Sequence, residues 1–325
     1  MTRMRKLSMD VSLLASSRPT LARHALNETE HISVCVCTYK RPHLLRRLLE
    51  RLCDQDTETL FTYSVVVADN DQLQSAKAGV SDFAASSSVS IKYCVEPRQS
   101  IALVRNKAVE NAKGDYIAFI DDDEFPARNW LLILFKTCKE YRVDGVLGPV
   151  KRHFDEEPPQ WIVKSQVYER RINATGSIVD WREARTGNVL LKRQILESDL
   201  PPFRSEFRAG EDQDFFRRMI KKGYVFIWSD QAVVYEVVSP SRWKRTYMLK
   251  KALLRGATAW LQPSCGALSI AKSVIAVPVY VTVLPLACIL GHHRFMALLV
   301  RLFDHLGKLL ALLGMNPIKE QYVTD

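Results

Sequence analysis

Tyr116-Ile117-Ala118-Phe119-Ile120-Asp121-Asp122-Asp123-Glu124 is the stretch on which the chain turns: an apolar run that ends abruptly in four acids. A short apolar run closed by polar residues suits a strand buried on both faces. Four adjacent carboxylates repel one another, so at neutral pH they need a cation or basic partners. Hard oxygen ligands suit Mg²⁺ or Mn²⁺, which usually bridge one or two carboxylates to substrate phosphates. The functional reading is a metal-and-phosphate site at the carboxyl end of a buried strand. The plainer reading is a solvated acidic loop or helix start, because Asp and Glu favour first turns.

Upstream residues favour the functional reading. His31 to Thr38 reads as a second buried strand, followed by the polar turn Thr38-Tyr39-Lys40-Arg41-Pro42. Pro42 suits the first position of a helix, and Leu44, Leu45, Leu48, Leu49 and Leu52 recur at helical spacing. A strand over Tyr63 to Ala68 ends in Asp69-Asn70-Asp71. A helix from Ala76 to Phe83, a strand from Val89 to Val95 and a helix through Ile101, Ala102, Val104, Ala108 and Val109 follow. Trp130 to Phe135 opens another helix. Strands alternating with helices predict an α/β fold with a mainly parallel, doubly wound sheet. Ligands in such sheets bind beyond the carboxyl ends of the strands. Thr38–Arg41, Asp69 and Asp121–Asp123 all fall at such ends, so three polar clusters converge on one sheet edge.

Downstream, Val150 to Arg185 is less regular. Thr186-Gly187-Asn188 precedes an apolar strand, Val189 to Leu191, and reads equally as a plain turn or a close backbone approach to a ligand. Gly210-Glu211-Asp212-Gln213-Asp214 then opens a helix carrying Phe215, Phe216, Met219 and Ile220. The helix dipole accounts for one acid at such a start, less well for three. A carboxylate there, facing the sheet edge, is well placed as a general base. Strands at Val225–Trp228 and Ala232–Val238 complete this part.

Taken in order, Val34-Cys35-Val36-Cys37-Thr38-Tyr39-Lys40-Arg41-Pro42, Asp69, Ala102-Leu103-Val104-Arg105-Asn106, Phe119-Ile120-Asp121-Asp122-Asp123 and Gly210-Glu211-Asp212 resemble the motifs of the family 2 glycosyltransferases, inverting enzymes of the GT-A fold. Within that family the chain looks most like the bacterial exopolysaccharide enzymes of the succinoglycan type. That likeness rests on Arg185-Thr186-Gly187-Asn188, Val234-Tyr235-Glu236 and the hydrophobic tail. The resemblance implies transfer of a sugar from a nucleotide sugar, most often a UDP-sugar, to an acceptor hydroxyl. It puts Thr38, Tyr39 and Arg41 in the nucleotide pocket, Asp69 on the base, Asp122 near the ribose and Arg105 in support of the nucleotide. Asp123, with Asp121 completing the Asp-x-Asp motif, would hold Mg²⁺ or Mn²⁺ on the diphosphate, and Glu124 would only open the next turn. Asp212 would deprotonate the acceptor, assisted by Glu211. Many relatives place a His after the late strand as a further metal ligand; Tyr235-Glu236 stands near that point, so Glu236 is a candidate oxygen ligand. The Gln-x-x-Arg-Trp motif of processive synthases is absent, with Ser241-Arg242-Trp243 a partial echo, which favours transfer of a single sugar.

Two other readings compete. A sugar-1-phosphate nucleotidylyltransferase would want a glycine-rich loop after the first strand, and Thr38 to Pro42 contains no glycine. A non-catalytic membrane-bound scaffold would tolerate loss of Asp121, Asp123 and Asp212, all of which are present.

Net charge is +10, but from Arg242 onward eleven Lys and Arg face three Asp and Glu, which leaves a surplus of only two in the preceding residues. The basic character therefore belongs to the tail and excludes a general nucleic-acid surface; beside an apolar segment it points to an anionic membrane face. Ser273 to Leu290 runs without a charge, interrupted by Pro278 and Pro285, and Phe295 to Leu313 repeats apolar residues at helical spacing. The second of these reads as an amphipathic helix lying in the interface, the alternative being a second helical core packed on the first domain; together they predict a membrane-associated tail, re-entrant or interfacial rather than simply spanning, with the catalytic domain on the cytoplasmic face of a bacterial inner membrane and a lipid-linked saccharide as acceptor. Seven cysteines with no C-x-x-C pair argue against a disulfide framework or zinc site and fit a reducing compartment. The expected organisation is a weakly ordered arm over 1–30, a GT-A domain over 31–240 and a helical tail over 241–325.

Overall fold

Alternation along the central strands builds two cores at once. The computed structural model describes residues 29–207, 209–262, 265–315 and 318, so nearly all of the arm expected over 1–30 lies outside the described residues. The chain runs β1 (His31–Thr38), α1 (Pro42–Leu52), β2 (Thr62–Asp69), α2 (Lys77–Ser86), β3 (Ile91–Val95), α3 (Ile101–Asn111), β4 (Tyr116–Asp121), β5 (Glu124–Pro126), α4 (Trp130–Glu140), β6 (Gly145–Leu147), β7 (Val150–His153) and α5 (Gln160–Ser165). It continues with β8 (Asn188–Lys192), α6 (Arg193–Glu197), α7 (Glu211–Lys221), β9 (Phe226–Trp228), β10 (Val234–Val237), a 3₁₀ turn at Pro240–Trp243, α8 (Arg245–Leu261), α9 (Ala267–Ile289) and α10 (His292–Leu312).

Seven strands form one sheet in the order β3-β2-β1-β4-β8-β6-β9. β3, β2, β1 and β4 pair in parallel, and β8 is antiparallel to both its neighbours. Side chains of period two divide between the faces. Val34, Val36, Ala118 and Ile120 join α1 and α4 in one core, where Leu45, Leu48, Leu49 and Leu52 supply the helical stripe. Cys35, Ile117, Phe119, Val189 and Leu191 join α3 and α7 in the other, with Phe215 and Phe216. The result is the three-layer α/β architecture that the alternation predicts. A small second sheet, β5-β10-β7, sits beside the acidic end of β4. Its strands, like β6, have only three or four residues each, too few to show a period. The seven cysteines are all free.

The tail differs from expectation in two ways. Pro278 and Pro285 lie inside one continuous 23-residue helix, α9. At about 1.5 Å per residue it is long enough for a hydrocarbon core of about 30 Å, and its most apolar window is only 6% buried. The following helix, read from sequence as lying in a membrane interface, instead packs part of its apolar face inside the protein. Met296 and Val300 of α10 meet Met248 and Ala252 of α8 and Ile162 of α5 in a third core. The crossing is close because glycines meet backbone: a Cβ on Gly256 would lie 2.0 Å from the Asp304 carbonyl oxygen, and one on Gly307 2.2 Å from that of Leu253. Arg255 and Asp304 clasp the same crossing with two hydrogen bonds of 3.0 and 2.9 Å.

Candidate active site

Strand register brings the polar clusters level. Thr38 pairs with Asp69, and Cys37 with Asp121. Beyond these ends opens a cleft of about 930 Å³ lined by Thr38, Tyr39, Arg41, Arg105, Asp121, Asp122, Asp123, Glu211 and Asp212. Of the residues singled out in the sequence for the site, Asp69 alone is not on this lining. It is fully buried, and its carboxylate accepts the amides of Asp71 (2.9 Å) and Ala76 (3.0 Å) and the hydroxyl of Tyr93 (2.8 Å). It shapes the loop that brings Asn70 to the cleft wall.

The acids are separated by their arginines. Thr38 donates to Asp122 at 2.8 Å, and Arg41 Nη1 donates to Asp122 and Asp123 at 3.1 Å each. Burial still outweighs the Arg41 charge and pushes the Asp122 carboxyl up to about 7. Asp123 is also paired with Arg242, whose other nitrogen donates to Glu236 at 2.8 Å. Arg170 donates to the second oxygen of Glu236, again at 2.8 Å. Arg105 pairs with Glu211 and approaches Asp121 at 3.6 Å.

Glu124 is not the opening of a turn. It lies in β5, buried, opposite Glu236 in register, and accepts the Asp121 amide at 3.2 Å. Burial raises its carboxyl well above the ordinary range, with Asp121, Asp123 and Glu236 adding to the shift. Gly187 makes this packing possible: a Cβ there would lie 2.7 Å from one Glu124 oxygen and 3.0 Å from one of Asp121. The adjacent Asn188 is structural, bonding Trp130, Pro149 and Ala232. The Thr186-Gly187-Asn188 turn is thus a close approach, made to carboxylates.

The acids opening α7 have different fates. Glu211 serves Arg105. Asp212 lines the cleft, with one carboxylate oxygen accepting the Gln213 amide at 2.7 Å. Asp214 is fully buried and bonds Arg217 and Arg218 at 2.7 Å each, away from the lining. The arrangement places an anion-balancing centre at the end of β4 and a carboxylate at the start of α7 on one cleft.

The donor atoms suit a hard divalent cation. Among the described residues no three His, Cys, Asp or Glu side chains converge as a ready-made cage. Mg²⁺ commonly takes only one or two carboxylates and keeps its other positions for phosphate oxygens and water. Asp123 and Asp121 meet that need, and Arg41, Arg105 and Arg242 balance their charge.

Sequence reasoning missed Arg170 and gave Arg242 no role in the site. Arg170 lies in the irregular segment. Arg242 stood in a basic run, where only its place before Trp243 distinguished it.

Residues 33–198 match the family model described as glycosyl transferase family 2. The succinoglycan biosynthesis protein ExoM of Rhizobium meliloti (strain 1021) is 33% identical over 235 residues, covering 71% of this chain and 75% of that protein. The chain belongs to glycosyl transferase family 2. Glycosyltransferase AglE of Haloferax volcanii is 24% identical over 204 residues, 62% of this chain and 65% of that one. In structure the glycosyltransferase is similar to the mannosyltransferase PcManGT of Pyrobaculum calidifontis, solved in complex with GDP-Man and Mn²⁺. The TM-score is 0.60 at 17% identity over 94% of this chain and 93% of that one, a likeness of fold. The GT-A architecture expected from the motifs is therefore the one observed, and glycosyl transfer is the activity of the family to which the chain belongs.

Proposed function

We propose that this enzyme moves a single sugar, with inversion, from a nucleotide sugar to a hydroxyl of a lipid-linked saccharide in exopolysaccharide synthesis. UDP is the proposed nucleotide, and the cytoplasmic face of a bacterial membrane the proposed location. The observation that carries the mechanism is the pairing of Asp212 with the Asp121–Asp123 cluster on one cleft, linked through Glu211 and Arg105. The acceptor oxygen attacks the anomeric carbon, its proton passes to the Asp212 carboxylate, and the bond to the donor diphosphate breaks as the new one forms. Thr38, Tyr39 and Arg41 hold the nucleotide side, with Asp69 positioning that loop and Asp122 near the ribose. Asp123 and Asp121 would hold Mg²⁺ or Mn²⁺, which would supply charge stabilisation for the departing diphosphate. The pathway follows the ExoM likeness, and the membrane location, with the lipid-linked acceptor that it suggests, follows the apolar helix α9 with its basic flank.

Full-length protein in detergent should release the nucleoside diphosphate from one nucleotide sugar only with Mn²⁺ or Mg²⁺, and chelation should stop it. Asp212→Asn should lower transfer about 10²–10⁴-fold while donor affinity stays within about twofold; full transfer by that variant would remove Asp212 as the base. Replacing the exposed Ile275 and Val279 of α9 together by Lys should move the protein from the membrane towards the soluble fraction, and a full-length protein already soluble would sink the membrane assignment.

A further inference from the structure

The three tail helices pack in the order α8, α10, α9, and that order fixes how α9 can lie. Met248 and Ala252 of α8 meet Met296 and Val300 of α10, and the Gly256–Gly307 crossing and the Arg255–Asp304 pair hold the same two helices further along. α10 in turn holds α9. The Lys308 ammonium donates to the Ser269 hydroxyl at 2.9 Å, and the His305 ring and the Ser273 hydroxyl share a hydrogen bond of 3.0 Å. The Tyr280 ring stacks on that of His305, with centroids 5.7 Å apart. Ser273, Tyr280 and Ala287 recur every seventh residue, which keeps them on one face of α9. Ser273 and Ala287 are its buried residues.

Opposite that seam α9 is apolar and exposed. Val274, Ile275, Val279, Val281, Val283 and Leu286 all face outward, and at 3.6 residues per turn they cover an arc of about 200°. No charge interrupts Ser273 to Leu290, and the basic Lys272 and Arg294 stand just beyond its two ends. A helix packed on one neighbour needs an apolar stripe of roughly 100°. An uncharged arc twice as wide, flanked by cations, fits lipid, with the cations among anionic headgroups.

We infer that α9 is a monotopic anchor: it lies along the membrane plane with its outer arc in the hydrocarbon of one leaflet, and does not cross. This rests on the proposed membrane location and goes beyond it. The length of α9 allows a crossing, but its partner does not. α10 folds back beside α9 from Gly291, so an upright α9 would carry Arg301, Asp304, His305 and Lys308 into the bilayer with it. α8 would follow, with Lys251 and Arg255 of the cleft lining. Ionised side chains at that depth are costly and rare. Laid flat, α9 meets lipid with its outer arc and protein with its seam. Ser269, in its first turn, also lines the cleft, so cleft and leaflet adjoin at that end of the helix.

The test is a depth measurement on the full chain, its native cysteines replaced by Ser or Ala, in vesicles of phosphatidylcholine and phosphatidylglycerol. Ile275, Val279 and Leu286 form one outward stripe along α9. Each is changed in turn to Cys and spin-labelled, and its depth is read from power saturation by oxygen against a water-soluble nickel chelate. All three labels should lie in the hydrocarbon within about 5 Å of one depth, less than one helical pitch. An upright helix would spread Ile275 and Leu286 over about 16 Å, at 1.5 Å per residue, and such a gradient would overturn the inference. So would labels on vesicle-bound protein that sense nickel and not oxygen, because lipid would then cover another face. Spin–spin broadening between separate copies would give the arc to a second copy of the chain and overturn it too. Each labelled protein should unfold at the temperature of its unlabelled parent, which guards against reading a damaged fold as a change of depth. If the protein does not bind vesicles, the proposed membrane location falls first; if it binds and the labels follow a gradient, only this inference falls.

Discussion

Arg242 donates to Asp123 from 119 residues further along the chain, joining the start of the helical tail to the acidic end of the central strand. The same guanidinium holds Glu236, so one side chain, only 6% exposed, compensates a buried acid and a half-buried one. Removing one partner of a buried pair is costly because the other charge is left uncompensated. Arg242→Ala should lose about 3 kcal/mol, at the lower end of the usual range because Arg41 and Arg170 remain as partners. Mn²⁺ should raise the melting temperature of this variant more than that of the parent, since the cation replaces part of the missing charge. Equal stabilisation of both would separate Arg242 from the carboxylates proposed to hold the metal.

Gly187 lies against both Glu124 and Asp121, and no side chain fits between them. Gly187→Ala should displace these carboxylates and reduce kcat/KM about 10–100-fold, because misplacement by about 1 Å carries penalties of that size. Gly79→Ala, in α2 where a Cβ meets nothing within 4 Å, is the control. It should keep full activity and gain about 0.5–1 kcal/mol from the better helix former.

Asp212 and Asp214 are two residues apart and should fail in opposite ways. Asp214→Asn removes the fully buried charge that pairs with Arg217 and Arg218 and should cost about 3 kcal/mol in denaturant unfolding. What remains folded should keep its kcat. Asp212→Asn should keep its stability and lose its kcat. A reversal of this pattern in paired unfolding and rate measurements would interchange their roles.

The helix crossing at Gly256 and Gly307 tolerates no added atom, since the neighbouring carbonyl oxygens stand 2.0 and 2.2 Å from where a Cβ would be. Gly307→Ala should cost about 1–3 kcal/mol through overpacking. Thermal unfolding checks this, and an unperturbed variant would mean that the crossing is looser than described.

The sheet was legible because its strands are continuous apolar runs and its helices carry leucine stripes; those patterns survive without knowledge of their neighbours. The short strands β5, β6 and β7 were not, since three or four residues cannot display a period. The site was legible where residue type and strand end coincide, as at Thr38, Arg41 and Asp121 to Asp123. It was misleading at Asp69, whose position at a strand end is genuine but whose carboxylate is taken up by its own loop. It was silent on Arg170 and on the role of Arg242, because a buried arginine and a solvated one look alike in a sequence. Which of the α7 acids faced the cleft likewise depended on the helix's rotation against α3, a tertiary fact.

The cleft has walls from both ends of the chain. β1 supplies Thr38, while α8, α9 and α10 supply Lys251, Ser269 and Lys308. During synthesis the sheet and its acids emerge from the ribosome first, facing an open groove with one side missing. That side arrives only when α10 has emerged and seated on α8. The order of emergence thus acts as a timer: a nascent chain can assemble its sheet and the acids at the sheet edge early, yet the cleft gains its remaining wall only once the tail helices have followed.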